Sequence, residues 1–322
     1  MKKVGILTLY GYINYGNRLQ NYAVQRIFEK YGYVGTTLVV RNSLKPLLKT
    51  MMMVFKAHIG SVEAKRYMNF FKFTKENINT ELVFSKDMKI KGKIDKKYDY
   101  FVVGSDQVWN PYIRVQERDN FFLKFTSKDK RLCIAPSFGV EEIPEEFLND
   151  FKEGLQGFDY LCCREDAGAE IIYNLIGRNA EVLIDPTLAL NVDDWKKIFV
   201  VPKNYRQKRY MLCAFLGRIT EERREVLRNI AESESLEIID IFNDFPYDPG
   251  EMLYILYNSS LVCTDSYHFT AFSINFNKAF FVFERVGKGV EEKMFSRIET
   301  LLSKFGLKER LYSDEIKKSF NL

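Results

Sequence analysis

Residues 261–276 read LVCTDSYHFTAFSINF, and the rest of the chain can be ordered around them. Leu261 to Thr264 is a short apolar run of strand-forming residues. Asp265 and Ser266 are helix N-cap types, and they stand just before apolar residues at helical spacing, Phe269, Phe272, Ile274 and Phe276. The stretch therefore predicts strand, turn, helix. In an open α/β sheet the carboxyl end of a strand meets the amino end of the next helix, and backbone N–H groups and the helix dipole favour ligands there. His268, one of only two histidines, falls in the first turn of that helix, where it either serves catalysis or merely caps or packs.

Working outward, the same alternation recurs on both sides. Tyr210 to Leu216, a helix from Thr220 to Glu232, Leu236 to Ile241, a helix over Pro249 to Asn258, and Ala279 to Glu284 form βα units with short loops. Ser296 and Arg297 then start a last helix whose apolar positions are Ile298, Leu301, Leu302 and Phe305. Toward the N-terminus, Lys3 to Leu9 reads as a strand and Leu19, Tyr22, Ala23 and Ile27 as a helix face ending at Gly32. A second strand follows over Tyr33 to Val40. The turn between them lacks GxGxxG, and the chain has no GxxxxGK[ST], so neither a dinucleotide fingerprint nor a P-loop is supported. Asn14, Gly16, Asn17 and Arg18 in that turn suit an oxygen-rich ligand instead.

Residues from about 43 to 95 change character, with Met51 to Met53, lysines, and Phe70, Phe71 and Phe73 on two predicted helices. We read them as a helical insertion whose aromatics pack and whose lysines are solvated, with a membrane-surface or partner-docking role left open. His58 inside it reads as a surface or packing residue. The sheet pattern resumes at Tyr98 to Val103 and ends in GSDQVWNP, residues 104–111. Gly104 permits close backbone approach, and Ser105, Asp106, Gln107 and Asn110 suit sugar hydroxyls. Trp109 offers a flat face for a sugar ring, or else anchors an Asp-capped turn. Further strands, Arg131 to Ala135 and Tyr160 to Cys163, end in PSFG and in Arg164, Glu165 and Asp166, with Asp166 expected to cap the next helix.

With 322 residues, two domains are expected, residues 1–195 and 196–322, with the boundary near residues 190–208 in the long connection through Trp195 and the charged, Pro-containing VPKNYRQKR. Both halves read as doubly wound α/β. A net charge of +5 without a dense basic run argues against nucleic acid and favours a small anionic substrate. The apolar run in MKKVGILTLY is too short for a membrane span and no cleavage site follows, so a cytoplasmic protein is expected. Five scattered cysteines, Cys133, Cys162, Cys163, Cys213 and Cys263, show no metal-ligand spacing and read as buried thiols, with no structural metal implied.

Six stretches in this order, NYGNRLQNYAVQ (14–25), GSDQVWNP (104–111), SFG (137–139), IDPTL (184–188), TDSYHFTAFSI (264–274) and SRIETLLSKFGL (296–307), resemble the polysaccharide pyruvyl transferase family. The resemblance covers nearly the whole chain outside the insertion. It implies a glycosyltransferase-B-like fold of two Rossmann-like domains facing a cleft, and transfer of the enolpyruvyl unit of phosphoenolpyruvate to sugar hydroxyls as a ketal. It also implies a role in bacterial surface polysaccharide biosynthesis, with phosphoenolpyruvate as co-substrate, no other cofactor, and a glycan or lipid-linked saccharide acceptor. Work at the inner face of the membrane would suit such an acceptor.

In that setting His268 supplies the proton, while Arg164, Ser266 and Arg297 hold the donor. The residues of 14–18 and 104–110 named above, with Asp265, line the acceptor side. Asp265 either orients the imidazole or caps the helix, with capping preferred. Many family members read Arg, Leu, His where this chain has Ser266, Tyr267 and His268. Two other readings stay open: a nucleotide-sugar-dependent glycosyltransferase of the same architecture, and a non-catalytic sugar-binding relative.

Overall fold

A computed structural model describes residues 1–11, 13–43, 45–203, 205, 208–287 and 296–312. Three positions of the expected VPKNYRQKR connection, 204, 206 and 207, thus lie outside the described residues, as do position 12 of the first turn and residues 288–295 ahead of the last helix. The chain divides into two compact units, Met1–Leu190 and Asn191–Leu322.

The first unit runs β1 (Lys3–Leu7), α1 (Tyr15–Lys30), β2 (Val34–Arg41), α2 (Lys45–His58), α3 (Val62–Asn77), β3 (Thr80–Phe84), β4 (Tyr100–Val103), α4 (Arg118–Phe121) and β5 (Arg131–Cys133). It continues with α5 (Leu148–Leu155), β6 (Cys162–Cys163), α6 (Asp166–Ile176) and β7 (Glu181–Val182). Its main sheet has the order β3-β2-β1-β4-β5, all parallel, and β6 pairs with β7 in a separate parallel ribbon. Side chains alternate across such a sheet. Val4, Ile6 and Val102 face Val24 of α1. Leu7, Leu38, Val40, Phe101 and Val103 join the aromatic core of the opposite face.

The segment expected to be a helical insertion is only partly helical. α2 and α3 form a hairpin, and Thr80 to Phe84 then returns as the edge strand beside β2. α3 docks on α1 through Phe70, whose ring centre lies 4.8 Å from that of Tyr15. α2 in turn packs on α3 through a small cluster of Met53, Ala64 and Tyr67.

The second unit runs α7 (Val192–Lys196), β8 (Tyr210–Ala214), α8 (Glu221–Ser233), β9 (Glu237–Asp240), α9 (Pro249–Asn258), β10 (Leu261–Thr264), α10 (Tyr267–Asn275), β11 (Phe280–Val282) and α11 (Ser296–Lys304). Its sheet is parallel with the order β11-β10-β8-β9. β10 lies between two neighbours and is buried along its whole length, as expected of a continuous apolar run in a parallel sheet. α9 starts in a capping box, in which Asp248 accepts from the Glu251 backbone and Glu251 accepts in return from that of Asp248, with Pro249 at the first helical position. α10 is largely buried, with Phe272 edge-on to Trp195 and Phe269 edge-on to Phe242. Trp195, fully buried in this contact, thereby belongs to the second unit.

All five cysteines are free and buried. Burial pushes the Cys213 thiol up to about 12 and raises Cys163 and Cys263, so these sulfurs are poor nucleophiles.

Candidate active site

In the second unit the chemistry gathers at the carboxyl ends of β8, β10 and β11. Asp265, directly after β10, is buried and does not cap α10. Its two oxygens accept from the backbone N–H groups of Leu216 (2.7 Å) and Gly217 (2.8 Å) in the loop after β8. Capping, the preferred role of Asp265, therefore does not hold; it is a clamp between strand ends. Ser266 is the N-cap residue, but its hydroxyl makes no capping bond. Its own N–H donates to Thr264 Oγ1, which donates to the Ala214 carbonyl. His268 then sits half-buried in the first turn of α10, edge-on to Tyr267 at 5.4 Å between ring centres.

Two arginines meet this turn. Arg297, in the first turn of α11, is buried with its guanidinium carbon 5.8 Å from the Tyr267 ring centre, a cation–π spacing. Arg285, just past β11, donates from Nη2 to the Asp265 carbonyl at 3.1 Å and has Nε 3.7 Å from Asp265 Oδ2. Sequence reasoning passed over Arg285, although its position immediately beyond a strand of the same sheet was a usable signal. Gly217 has no room for a side chain here: a Cβ would meet Arg285 Cγ at 2.6 Å, the Val286 carbonyl at 2.8 Å and Asp265 Oδ2 at 2.9 Å. The loop after β8, the turn before α10 and the segment after β11 are thus interlocked, with His268 just past the turn, Arg285 in the last segment, and Arg297 reaching Tyr267 from α11.

The first unit treats its predicted site residues differently. Asn14 is exposed and caps α1 by accepting from the Asn17 N–H (2.9 Å). Gly16, Asn17 and Arg18 are buried in the first turn of that helix. Arg18 donates twice to the Gly11 carbonyl and stacks on Tyr10 at 4.1 Å. Asn17 donates to Asp106 Oδ2 at 3.1 Å, while Asp106 Oδ1 accepts from the Gln107 N–H, and Asp106 holds a left-handed φ of 80° that costs a non-glycine residue energy. Gly104, Ser105, Gln107 and Asn110 are buried as well.

Two corrections follow for this unit. Trp109 does not present a face for a sugar; it is 1% exposed, donates to the Phe121 carbonyl, and lies among Phe122, Phe138 and Phe158. Arg164 does not face an anionic donor either. Its Nη1 lies 2.6 Å from Asp185 Oδ2 inside the unit, with both side chains inaccessible, and Ser105 completes the cluster. Thr187 adds backbone and hydroxyl bonds to the other Asp185 oxygen. These contacts give Asp185 and Thr187 of the DPT sequence structural roles.

Asp166 also differs from expectation: Glu165 occupies the N-cap position of α6, and its carboxylate is spent elsewhere. Glu165 Oε1 accepts from Ser137 Oγ, the Phe138 N–H and the Gly139 N–H at 2.7 to 3.0 Å, fixing the SFG turn. Gly139 has φ 64°, and a Cβ there would lie 2.9 Å from Gln107 Cδ, so glycine is required where SFG meets the GSDQ loop.

Among curated proteins no sequence match is found. Among solved structures, a candidate UDP-N-acetylglucosamine 2-epimerase from Listeria monocytogenes is similar at a TM-score of 0.50 with 14% identity, over 96% of this chain and 89% of that one. The UDP-GlcNAc 2-epimerase from Neisseria meningitidis bound to UDP-GlcNAc gives 0.41 with 8% identity, over 98% and 96%. The likeness to the first, at that identity, speaks to fold alone, an α/β fold of the glycosyltransferase-B-like kind. A family model described as polysaccharide pyruvyl transferase matches residues 14–285, which include the clamped strand ends of both units, and the chain belongs to the polysaccharide pyruvyl transferase family.

Proposed function

We propose that the protein transfers the enolpyruvyl unit of phosphoenolpyruvate to two hydroxyls of one sugar as a pyruvate ketal, in the synthesis of a bacterial surface polysaccharide. The observation that carries this reading is that two arginines meet the turn leading to His268, Arg285 at Asp265 and Arg297 at Tyr267, in a chain of a transferase family. The reaction needs a proton on the methylene carbon, which makes the adjacent carbon electrophilic; one hydroxyl adds there, phosphate departs, and the second hydroxyl closes the ketal, each hydroxyl losing its proton. His268 is the proton donor in this scheme. Arg285 and Arg297 hold the carboxylate and phosphate by charge-assisted hydrogen bonds, with Tyr267 and Asp265 as their supports. Arg285 contacts Asp265, the neighbour of Ser266, and so supplies cationic charge close to where many relatives carry an arginine.

The acceptor is a lipid-linked or nucleotide-linked glycan, and the reaction takes place on the cytoplasmic side. The test is phosphate release from phosphoenolpyruvate in the presence of such glycans, together with transfer of isotope from the donor to the glycan. Transfer from a nucleotide sugar without transfer from phosphoenolpyruvate would establish the glycosyltransferase reading instead, and binding of phosphoenolpyruvate without turnover the non-catalytic one.

A further inference from the structure

We propose that α2 is a docking surface for an anionic lipid bilayer. The sequence of this helix is KPLLKTMMMVFKAH, with three lysines, one histidine and no acidic residue; the first acidic side chain after it is Glu63. Its inward face is accounted for: Met53 is buried in the cluster with Ala64 and Tyr67, and Thr50 Oγ1 is 2.9 Å from the Tyr67 hydroxyl. The opposite side is apolar where a solvent-facing helix should be polar. Leu48, Met51, Met52 and Phe55 recur at three- and four-residue spacing and form one stripe, continued by Ile59 past the helix end. Met51 is 64% exposed, Phe55 67% and Ile59 69%. At 3.6 residues per turn, Lys45, Lys49 and Lys56 fall along one flank of that stripe.

An apolar stripe flanked by lysines on a helix without acids fits the boundary between headgroups and acyl chains, where side chains such as Phe and Leu enter and ammonium groups meet lipid phosphates. Charge selects among occupants. Pairing two copies through this stripe would bring the three lysines of each helix together with no acidic residue of either helix to offset them, and like charges brought together oppose association. A bilayer bearing anionic lipid instead matches the whole surface. No helix among the described residues is long and apolar enough to cross a membrane, so the contact is peripheral. The inference rests on this surface alone and does not depend on the proposed reaction.

The test is co-sedimentation of the full chain with vesicles of phosphatidylcholine, with and without phosphatidylglycerol. The protein should bind the anionic vesicles and release in high salt. Each lysine near an anionic surface contributes roughly fivefold to partitioning, so changing Lys45, Lys49 and Lys56 to Gln should weaken binding by about a hundredfold. Met51→Asp with Phe55→Asp should weaken it at least ~10-fold by removing apolar insertion. Both variants should keep the circular dichroism and melting of the parent, because the altered side chains are exposed. Absence of binding to anionic vesicles would overturn the proposal, as would undiminished binding by the Met51 and Phe55 variant. A concentration-dependent dimer that this variant abolishes, without vesicle binding by the parent, would assign the stripe to a second copy of the chain and also refute it.

Discussion

The two units each clamp neighbouring strand ends with a buried carboxylate, and they differ in what is left facing solvent. In the first unit Glu165 fixes the SFG turn, and Ser105, Arg164 and Thr187 converge on the Asp185 carboxylate in the interior. In the second, Asp265 fixes the loop after β8, and beside it His268 is only half-buried while Arg285 keeps 17% of its side chain accessible. Groups with the same apparent chemistry are therefore placed differently: one set is closed off inside its unit, and the other keeps part of its surface open to solvent.

The largest test of that contrast is His268→Gln. A well-placed proton donor contributes typically ~10²- to 10⁴-fold to rate, so turnover in a phosphate-release assay should fall by about that factor with donor affinity nearly unchanged. A variant with wild-type turnover would move the chemistry out of the second unit. Next comes the inaccessible pair of the first unit. Arg164→Ala leaves the Asp185 charge buried without its cation and should cost about 3–5 kcal/mol, seen in chemical denaturation, whereas Arg164→Met combined with Asp185→Asn should recover much of that loss, because the amide carries no buried charge and keeps an oxygen for the two Thr187 donors. Donor affinity of folded Arg164→Ala protein should be unchanged. A weakened affinity would show that Arg164 reaches the donor after all and erase the distinction between the units.

Arg285→Ala should raise the donor KM about 10-fold or more, the scale of one hydrogen bond to a charged group, and should also lower stability, because the buried Asp265 carboxylate loses its nearby cation. Arg285→Lys should restore part of it, because a point charge replaces the planar donor fork. If the KM is unchanged and the melting point falls, Arg285 only braces Asp265.

How much of this was legible depended on how local the cause was. α9 and β10 have the bounds that their sequence implies, since a capping box with proline at the first position and an unbroken apolar run are both local signals. β3 was missed because TELVF lies at a sheet edge with alternate residues exposed, and an edge strand needs no continuous apolar run. Trp109 misled because it sits among Asp, Gln and Asn, while the rings that bury it, Phe122, Phe138 and Phe158, come from later in the chain. Arg164 and Arg285 both follow strands, and nothing in their neighbours distinguishes the one paired inside the protein from the one at the surface. Asp265 reads as a cap in its own sequence, but its partners are Leu216 and Gly217 of another strand end.

The smallest and most discriminating comparison uses the two clamping carboxylates themselves. Glu165 receives all three of its bonds on Oε1, and Oε2 has no hydrogen-bond partner among the described residues. Glu165→Gln can keep its amide oxygen in that position, losing the charge assistance but no acceptor, and should cost about 1 kcal/mol. Asp265 uses both oxygens, one for each N–H of the loop after β8. Asp265→Asn must turn an NH₂ toward one of those donors, leaving a buried N–H unsatisfied, and should cost about 2–3 kcal/mol. The second unit should also lose activity at equal folded concentration, because the released loop no longer supports the surface shared with Arg285. Thermal melting of both variants, with activity measured well below the transition, checks the ordering. Equal destabilisation by the two changes would mean that charge, rather than the number of acceptors, sets the strength of both clamps.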